Sequence, residues 1–265
     1  LRFVLPSVVM MIFTSIYGVI DGLFVSNFVG KTPFAALNLI MPFLMMMAAL
    51  GFMIGTGGSA IVAITLGEGD KERANRYFSM LVYVTLAAGL VLTVLGVAAL
   101  RPIAAAMGAE GEMLENCVLY GRIILFALAP FMLQNVFQSF FVTAEKPKLG
   151  LAMTVAAGLT NIVLDYVFIV PLGWGLAGAA LATALSQVVG GAPLLYFARK
   201  NDSLLRLTRA SFEGRILIKA CTNGSSELMT NISMSLVNIL YNFQLMSVAG
   251  EDGVAAYGVI MYVNF

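Results

Sequence analysis

The stretch TVAAGLTNIVLDYVFIV, residues 154–170, indicates both the fold class of this chain and the place of its candidate site. It is apolar enough for the core of a membrane-spanning helix, yet it carries Thr154, Gly158, Asn161 and Asp165. At 3.6 residues per turn, these four residues fall on one face of a helix. A carboxylate near the middle of a bilayer costs about 2.5–3.5 kcal/mol on insertion scales. Asp165 therefore needs a partner, water, a proton or a cation, unless the polar face only joins helices by hydrogen bonds.

The composition indicates a membrane protein. Of the 265 residues, 60% are hydrophobic and 11% are charged, whereas about a quarter of the residues are charged in a soluble domain. The chain contains no histidine, which excludes histidine-based catalysis and most zinc sites. Its two cysteines, Cys117 and Cys221, are predicted at opposite membrane faces, so we expect neither a disulfide nor a thiolate metal site. Because the sequence starts without methionine and stops inside an apolar run, we expect a fragment of a longer protein.

The apolar runs predict an all-α polytopic membrane protein with seven spans and the start of an eighth. Spans 1 to 8 cover about residues 3–29, 34–66, 77–100, 118–143, 154–170, 176–198, 216–249 and 254 onwards. With a cytoplasmic amino terminus, all but three of the 15 basic residues lie on the cytoplasmic side. The exceptions are Lys31, Arg101 and Arg122. The positive-inside rule therefore predicts this orientation.

Span 1 contains a second acid, Asp21. Tyr17 and Thr14 precede it by four and seven residues and share its face of the helix. Asp21 either lies at a depth similar to that of Asp165 or sits near the outer headgroups, and both interpretations fit the pattern.

Span 4 carries a pair of amides, Gln134 and Gln138, on one face. Phenylalanines surround them, including Phe137, Phe140 and Phe141. The simplest interpretation is that the glutamines form hydrogen bonds between helices. We expect the phenylalanines to face lipid.

Span 7 carries the longest polar stripe, made of Glu227, Asn231, Ser235, Asn238 and Asn242. Their spacings of four, four, three and four place them on one face over about four helical turns. A helix face of this kind faces something other than lipid. A water-filled cavity is the natural candidate.

The order of the spans suggests two repeated lobes. A shift of 220 residues superimposes span 7 on span 1 and aligns Gly30 with Gly250 and Ile40 with Ile260. The predicted units are an amino-terminal lobe over residues 1–198, a cytoplasmic linker over 199–215 and the start of a second lobe over 216–265. The basic stretch RLTRASFEGRILIKA, residues 206–220, is expected to include a short helix on the membrane surface.

Together these features resemble the multidrug and toxin extrusion (MATE) family of transporters. The resemblance rests on Pro6 followed by Asp21, on GTGGSAIVAITLGEGDKERA at residues 55–74, on EKPK at 145–148, and on NIVLD followed by GWGLAGAALATALSQ, which ends at residue 187. It implies a six-helix amino-terminal bundle plus helix 7 and part of helix 8 of a two-lobed, twelve-helix fold. It also implies efflux of organic, often cationic or amphipathic compounds in exchange for Na⁺ or H⁺.

The resemblance also implies a site. A cation-binding set would consist of Asp21 in span 1, Asn161 and Asp165 in span 5 and Thr183 in span 6, with Na⁺ or H⁺ as the coupling ion and no other cofactor. Two carboxylates that face one another in a low dielectric cannot both stay ionised unless a cation lies between them. The expected cavity residues, which contact substrate, are Tyr17, Thr14, Gln134, Glu227, Asn231 and Asn238.

Other function classes fit the sequence less well. A lipid-linked oligosaccharide flippase of the same superfamily would line its cavity with cations for a diphosphate, whereas the predicted cavity here is acidic. A membrane receptor that transports nothing stays open as an alternative. We expect no enzyme, because no nucleophile–base pair stands out. The expected partners are organic small molecules and the lipid bilayer of the cell membrane, with no nucleic acid and no obligate protein partner.

Overall fold

The computed structural model of this chain describes residues 5–199 and 203–263. Throughout these ranges the regular structure is helical. The helices are α1 Leu5–Phe24, α2 Lys31–Gly67, α3 Lys71–Ala106, α4 Gly111–Phe126, α5 Leu128–Thr143, α6 Pro147–Ile169, α7 Gly175–Gly191, α8 Pro193–Ala198, α9 Gly214–Asn223 and α10 Ser225–Val263. A π-helical segment, Val25–Val29, continues α1.

The helices match the predicted spans in order. Six helical segments of the described chain are long and apolar enough to cross a membrane, and the pair α4–α5, bent by 54°, forms a seventh. Span 1 is α1 with its π-helical end, spans 2 and 3 are α2 and α3, and span 4 is the bent pair. Span 5 is α6, span 6 is α7 with α8, span 7 is α9 with the first part of α10, and the rest of α10 begins span 8. The predicted all-α polytopic architecture is confirmed.

Helix α2 is the central element of the packing. Its 37 residues extend about 55 Å at 1.5 Å per residue, which exceeds the roughly 30 Å of a bilayer core. Residues around Leu37 and Phe43 belong to one buried cluster, and residues around Ile54 and Val62 belong to another. Leu50 packs against both clusters. One helix therefore connects two cores, one near each predicted membrane face.

The phenylalanines of span 4 are inside the protein, so the expectation that they face lipid was wrong. Phe137 and Phe140 are fully buried, and Phe141 is nearly so. The Phe78 ring lies 4.9 Å from the Phe140 ring, and the Phe137 ring stacks 5.6 Å from that of Phe197. Apolar residues suit lipid and a helix interface equally well. Their periodicity alone could not separate the two environments.

The two glycines aligned by the 220-residue repeat occupy equivalent breaks. Gly30 has a φ of 115° and separates the end of span 1 from α2. Gly250 has a φ of 60° and interrupts the helical geometry inside α10, between spans 7 and 8. Glycine adopts positive φ without the penalty that a Cβ atom imposes. A glycine with positive φ thus interrupts the helix at the equivalent position of both predicted copies.

The basic stretch over residues 206–220 includes a helix, as expected, but only in its second part. Residues 205–213 are extended or irregular, and only the second part of the basic stretch forms α9. The extended part is fixed to α3, because the Thr208 amide donates to the Ser79 hydroxyl at 2.8 Å and the Arg206 amide donates to Asn75 Oδ1 at 2.7 Å. Leu205 is fully buried beside them. These hydrogen bonds replace the ones that a helix would supply.

Candidate functional site

The polar face of α6 is buried in the protein, as the spacing predicts. Thr154, Gly158, Asn161 and Asp165 all belong to the buried residues of this helix. On another face, the Val163 side chain is 57% exposed. Helix α6 therefore directs its polar residues towards other helices and its apolar residues outwards.

Helix α7 packs antiparallel along this polar face. Near the turn between the two helices, a Cβ atom at Gly178 would lie 3.0–3.2 Å from Phe168, so the backbones are close. One and a half turns further along α7, the Asn161 side-chain amide lies 3.4 Å from Thr183 Oγ1, to which it donates. This register brings Thr183 of span 6 beside Asn161 of span 5.

Helix α1 packs on α6 and completes the cluster. The carboxyl group of Asp21 lies close enough to the side chains of Asp165 and Asn161 to interact with both. The structure thus brings together all four residues expected to bind a cation. The Oδ1 atom of Asp21 is fully buried inside the protein.

The cluster contains carboxylate and amide oxygens without hydrogen-bond donors. In the described part of the chain, Asp21 Oδ1, Asn161 Oδ1 and both carboxylate oxygens of Asp165 are buried and unpartnered. An unpaired buried polar group is costly, and two unit charges about 4 Å apart repel by about 4 kcal/mol at an effective dielectric of 20. A proton shared by the two carboxyl groups, or a cation between them, removes both problems.

The oxygens of the cluster fit a hard cation. Two carboxylates, an amide carbonyl and the Thr183 hydroxyl are ligands of the kind that alkali and alkaline-earth ions prefer over softer metals. Across the described residues, no group of three or more His, Cys, Asp or Glu side chains is placed to hold a metal. The four residues could hold one monovalent cation or one proton.

The expected cavity residues of the first predicted lobe lie on α1 and α5. Thr14 is on α1, and its hydroxyl donates to the Met10 carbonyl at 2.9 Å. Gln134 extends from α5 onto α7, where a Cβ atom at Gly190 would overlap its side chain. Tyr17 belongs to α1, but its side chain lies outside the described residues.

The expected cavity residues of α10 form a separate group. Asn231 donates to the Glu227 backbone carbonyl at 2.8 Å and to the Glu227 carboxylate at 3.3 Å. Asn238 accepts a 2.8 Å hydrogen bond from the Tyr257 hydroxyl. These residues lie on a helix that packs mainly on α2. Their role in binding substrate stays a prediction.

The stripe on α10 also forms a contact that the sequence did not reveal. Asn242 is almost fully buried, and its amide donates to the Asn38 carbonyl of α2 at 3.0 Å. Ser235 is buried as well. This part of the stripe therefore attaches span 7 to span 2.

A second contact of α2 lies near its predicted cytoplasmic end. A Cβ atom at Gly57 would overlap the carbonyl oxygen of Ala220, and one at Gly224 would overlap the carbonyl oxygen of Met53. The backbones of α2 and α9 therefore touch directly. Glycine is required on both sides of this crossing, because any larger residue would separate the helices.

A third contact of α2 lies at its other end. The Thr32 hydroxyl donates to the Glu251 carboxylate at 2.8 Å, and Lys31 forms an ion pair with Asp252. The glycine turn at Gly250 presents both acids to the start of α2. Span 2 is thus bound to the predicted second lobe at both ends.

Sequence reasoning also missed the π-helical end of span 1. Residues Val25–Val29 follow Asp21 by one turn, and the Gly30 amide donates to the Val25 carbonyl at 3.4 Å, in the wider π register. Such segments are rare and are frequent at functional sites. Nothing in the sequence VSNFV separates it from ordinary α-helix.

The comparison with protein families identifies the fold. The sequence model of the MatE family matches residues 6–167, which include α1, the polar face of α6 and three of the four clustered side chains. The chain belongs to the MatE family. The predicted family and the predicted helical architecture are therefore confirmed.

MatE relatives align along nearly the whole chain. The multidrug export protein MepA of Staphylococcus saprophyticus is 26% identical over 262 residues, which cover 98% of this chain and 58% of MepA. A solved structure described as the inward-facing conformation of a multidrug resistance MATE family transporter has 30% identity and a TM-score of 0.86, and the match covers 91% of this chain and 56% of that one. An outward-facing conformation matches with 29% identity and the same TM-score over 99% of this chain and 59% of the other. The chain thus spans less than two thirds of these relatives.

Proposed function

We propose that the whole protein exports organic, often cationic or amphipathic compounds by alternating access, in exchange for Na⁺ or H⁺. The observation that carries the proposal is the convergence of Asp21 and Asp165 with Asn161 and Thr183 in one buried cluster. The similarity to MepA, a multidrug export protein, supports organic compounds as the substrate class. The protein would be a multi-pass transporter of the cell membrane with a cytoplasmic amino terminus, and not an enzyme.

The mechanism follows from the helices that contribute to the cluster. Asp21 is the contribution of α1, whereas Asn161 and Asp165 come from α6 and Thr183 comes from α7. A bound cation or shared proton attracts both carboxyl groups and holds α1 against α6. When the ion leaves, the two carboxylates repel one another and favour a packing in which α1 moves away. Ion binding therefore favours one arrangement of α1 over the other, which is the condition for coupling.

The contacts of α2 with the predicted second lobe explain how the cavity could open to one side at a time. Alternating access requires that the predicted lobes separate at one membrane face at a time. Near the predicted cytoplasmic face, the lobes meet where Gly57 crosses Gly224, and near the other face they meet where Thr32 binds Glu251. Opening towards either side breaks the corresponding contact and leaves the other in place.

The chemistry of the cluster also separates this proposal from a flippase. A lipid-linked diphosphate is anionic and requires cationic groups. The buried charged residues of the cluster are Asp21 and Asp165, which attract cations instead. A cationic or amphipathic substrate fits such a protein better.

Dye export from cells that express the full-length gene tests the proposal. Asp21→Asn and Asp165→Asn keep the size of the side chain and remove its charge, so each should lower the export of ethidium at least tenfold. Asp70→Asn is the matched control, because Asp70 caps α3 in the loop between spans 2 and 3 and asparagine caps helices equally well. The control should export at the wild-type rate. Wild-type export by either site variant, with equal amounts of protein in the membrane, contradicts the proposal.

Replacing Na⁺ by K⁺ in the same assay identifies the coupling ion. Loss of export in K⁺ medium indicates Na⁺, whereas export that follows an imposed pH gradient in the absence of Na⁺ indicates H⁺. Export that responds to neither gradient contradicts ion exchange.

A further inference from the structure

Gln187 on α7 carries a buried oxygen that the four-residue cluster does not use. Its Oε1 atom is fully buried and has no hydrogen-bond partner in the described ranges. Asn242 also has such an oxygen, but its amide group is already bound to α2. A buried acceptor without a donor is costly and calls for an explanation, of which a bound ion is one.

The position of Gln187 connects it with the cluster. It follows Thr183 by four residues and therefore shares its face of α7, about 6 Å further along the helix axis. Helix α7 runs away from the predicted outer face, so Gln187 lies on the cytoplasmic side of the cluster.

The part of α6 level with Gln187 carries small residues. The antiparallel register pairs Gly178 with Phe168 and Thr183 with Asn161. Its continuation places Gln187 level with residues 157–158. These are Ala157 and Gly158, the small residues of the buried face of α6. A long amide can therefore lie between the two helices, one turn below Asn161.

We propose that the side-chain oxygen of Gln187 is a second binding position for the coupled cation, on its way from the cluster to the cytoplasm, and that the coupled ion is Na⁺. This inference rests on the proposed function, because it assigns the ion and the direction of its release. An amide carbonyl is a neutral, hard ligand that replaces a water molecule of a Na⁺ shell. It does not gain or lose protons at physiological pH, so it contributes nothing to a proton relay.

Purified full-length protein in liposomes, with ethidium as the probe, tests the assignment. Gln187→Met removes the oxygen at nearly constant volume, and we expect it to raise the Na⁺ concentration for half-maximal export at least tenfold, the usual effect of losing a partner of a bound metal. Gln187→Glu adds a charge to the oxygen and should lower that concentration at least threefold. Gln138→Met, on α5, is the matched control and should behave as wild type.

Three results would overturn the inference. The first is an unchanged Na⁺ concentration for half-maximal export in Gln187→Met. The second is an unchanged or higher Na⁺ concentration for half-maximal export in Gln187→Glu, and this result decides the question if the methionine variant does not fold. The third is full wild-type export driven by a pH gradient without Na⁺.

The Asp165→Asn variant separates the two proposals. If it exports ethidium as wild type does, the proposed function fails. If it is inactive while Gln187→Met retains the wild-type Na⁺ dependence, the cluster stands and only the second position is wrong.

Discussion

Replacing Gly57 with alanine tests whether the crossing of α2 and α9 opens during transport. The added Cβ atom would overlap the carbonyl oxygen of Ala220 and crowd the amide of Gly224. Both are backbone atoms, which cannot rotate away as a flexible side chain can. Overpacking of this kind costs about 1–3 kcal/mol. If the cost applies only to states in which the helices touch, their population relative to open states falls about 5- to 150-fold.

Cys221 reports on this contact because it follows Ala220 on α9 and is only partly buried. We expect Gly57→Ala to increase its labelling by a membrane-impermeant maleimide at least fivefold, measured from the cytoplasmic side of inside-out vesicles. Cys117 is replaced by serine in every variant so that one native reporter remains in this part of the chain.

Gly67→Ala is the matched control for this experiment. It lies at the end of the same helix, and a Cβ atom there meets no other atom within 4 Å. The control should label at the wild-type rate. Equal labelling of the Gly57→Ala and Gly67→Ala variants, together with a lower melting temperature for Gly57→Ala alone, would mean that the crossing stays closed in every state. That result would refute the reasoning.

Two further contacts give predictions of the same kind. Thr32→Val removes the hydroxyl that donates to Glu251, so it should favour opening at the outer face by about 1 kcal/mol, or about fivefold. The measurement is the rate at which a maleimide added from outside labels the variant Asn238→Cys, and Thr32→Val should increase this rate. An unchanged rate in Thr32→Val, or a changed rate in the control Thr32→Ser, would contradict the prediction. Ser79→Ala leaves the Thr208 amide without its buried acceptor, which should destabilise the linker by about 1–3 kcal/mol. Limited proteolysis of residues 205–213 should therefore be at least fivefold faster than in wild type, and equal rates would show that the bond does not hold the linker.

The polar face of α6 was predictable because its physics is local. Spacings of four, three and four place Thr154, Gly158, Asn161 and Asp165 on one face, and apolar surroundings make an unpartnered carboxylate costly. Both facts can be read from the chain. Which helices pack against this face depends on contacts between distant parts of the chain and could not be predicted in this way. That Asp21 and Thr183 reach the same cluster was expected only from the resemblance to a family.

The missed features depend on contacts between distant parts of the chain. The phenylalanines around Phe137 looked suited to lipid, but lipid and a helix interface are equally apolar. The basic stretch over residues 206–220 was expected to include a helix, but hydrogen bonds to Ser79 and Asn75 hold its first part extended. Gly57 looked like one of several small residues, and only the structure shows which backbone it touches. None of these outcomes follows from a periodic pattern in one helix.

The most direct test of the central claim measures whether Asp21 and Asp165 bind one ion together. The purified full-length protein is unfolded by heat at increasing Na⁺ concentration, with choline keeping the ionic strength constant, and also at decreasing pH. An ion that binds only the folded state stabilises it by about 1.4 kcal/mol for each tenfold rise in its concentration above the dissociation constant. We predict this gain for the wild type and for Asp70→Asn, with Na⁺ or with protons. We predict that it is lost in both Asp21→Asn and Asp165→Asn. Retention of the full gain in either variant would contradict a shared site.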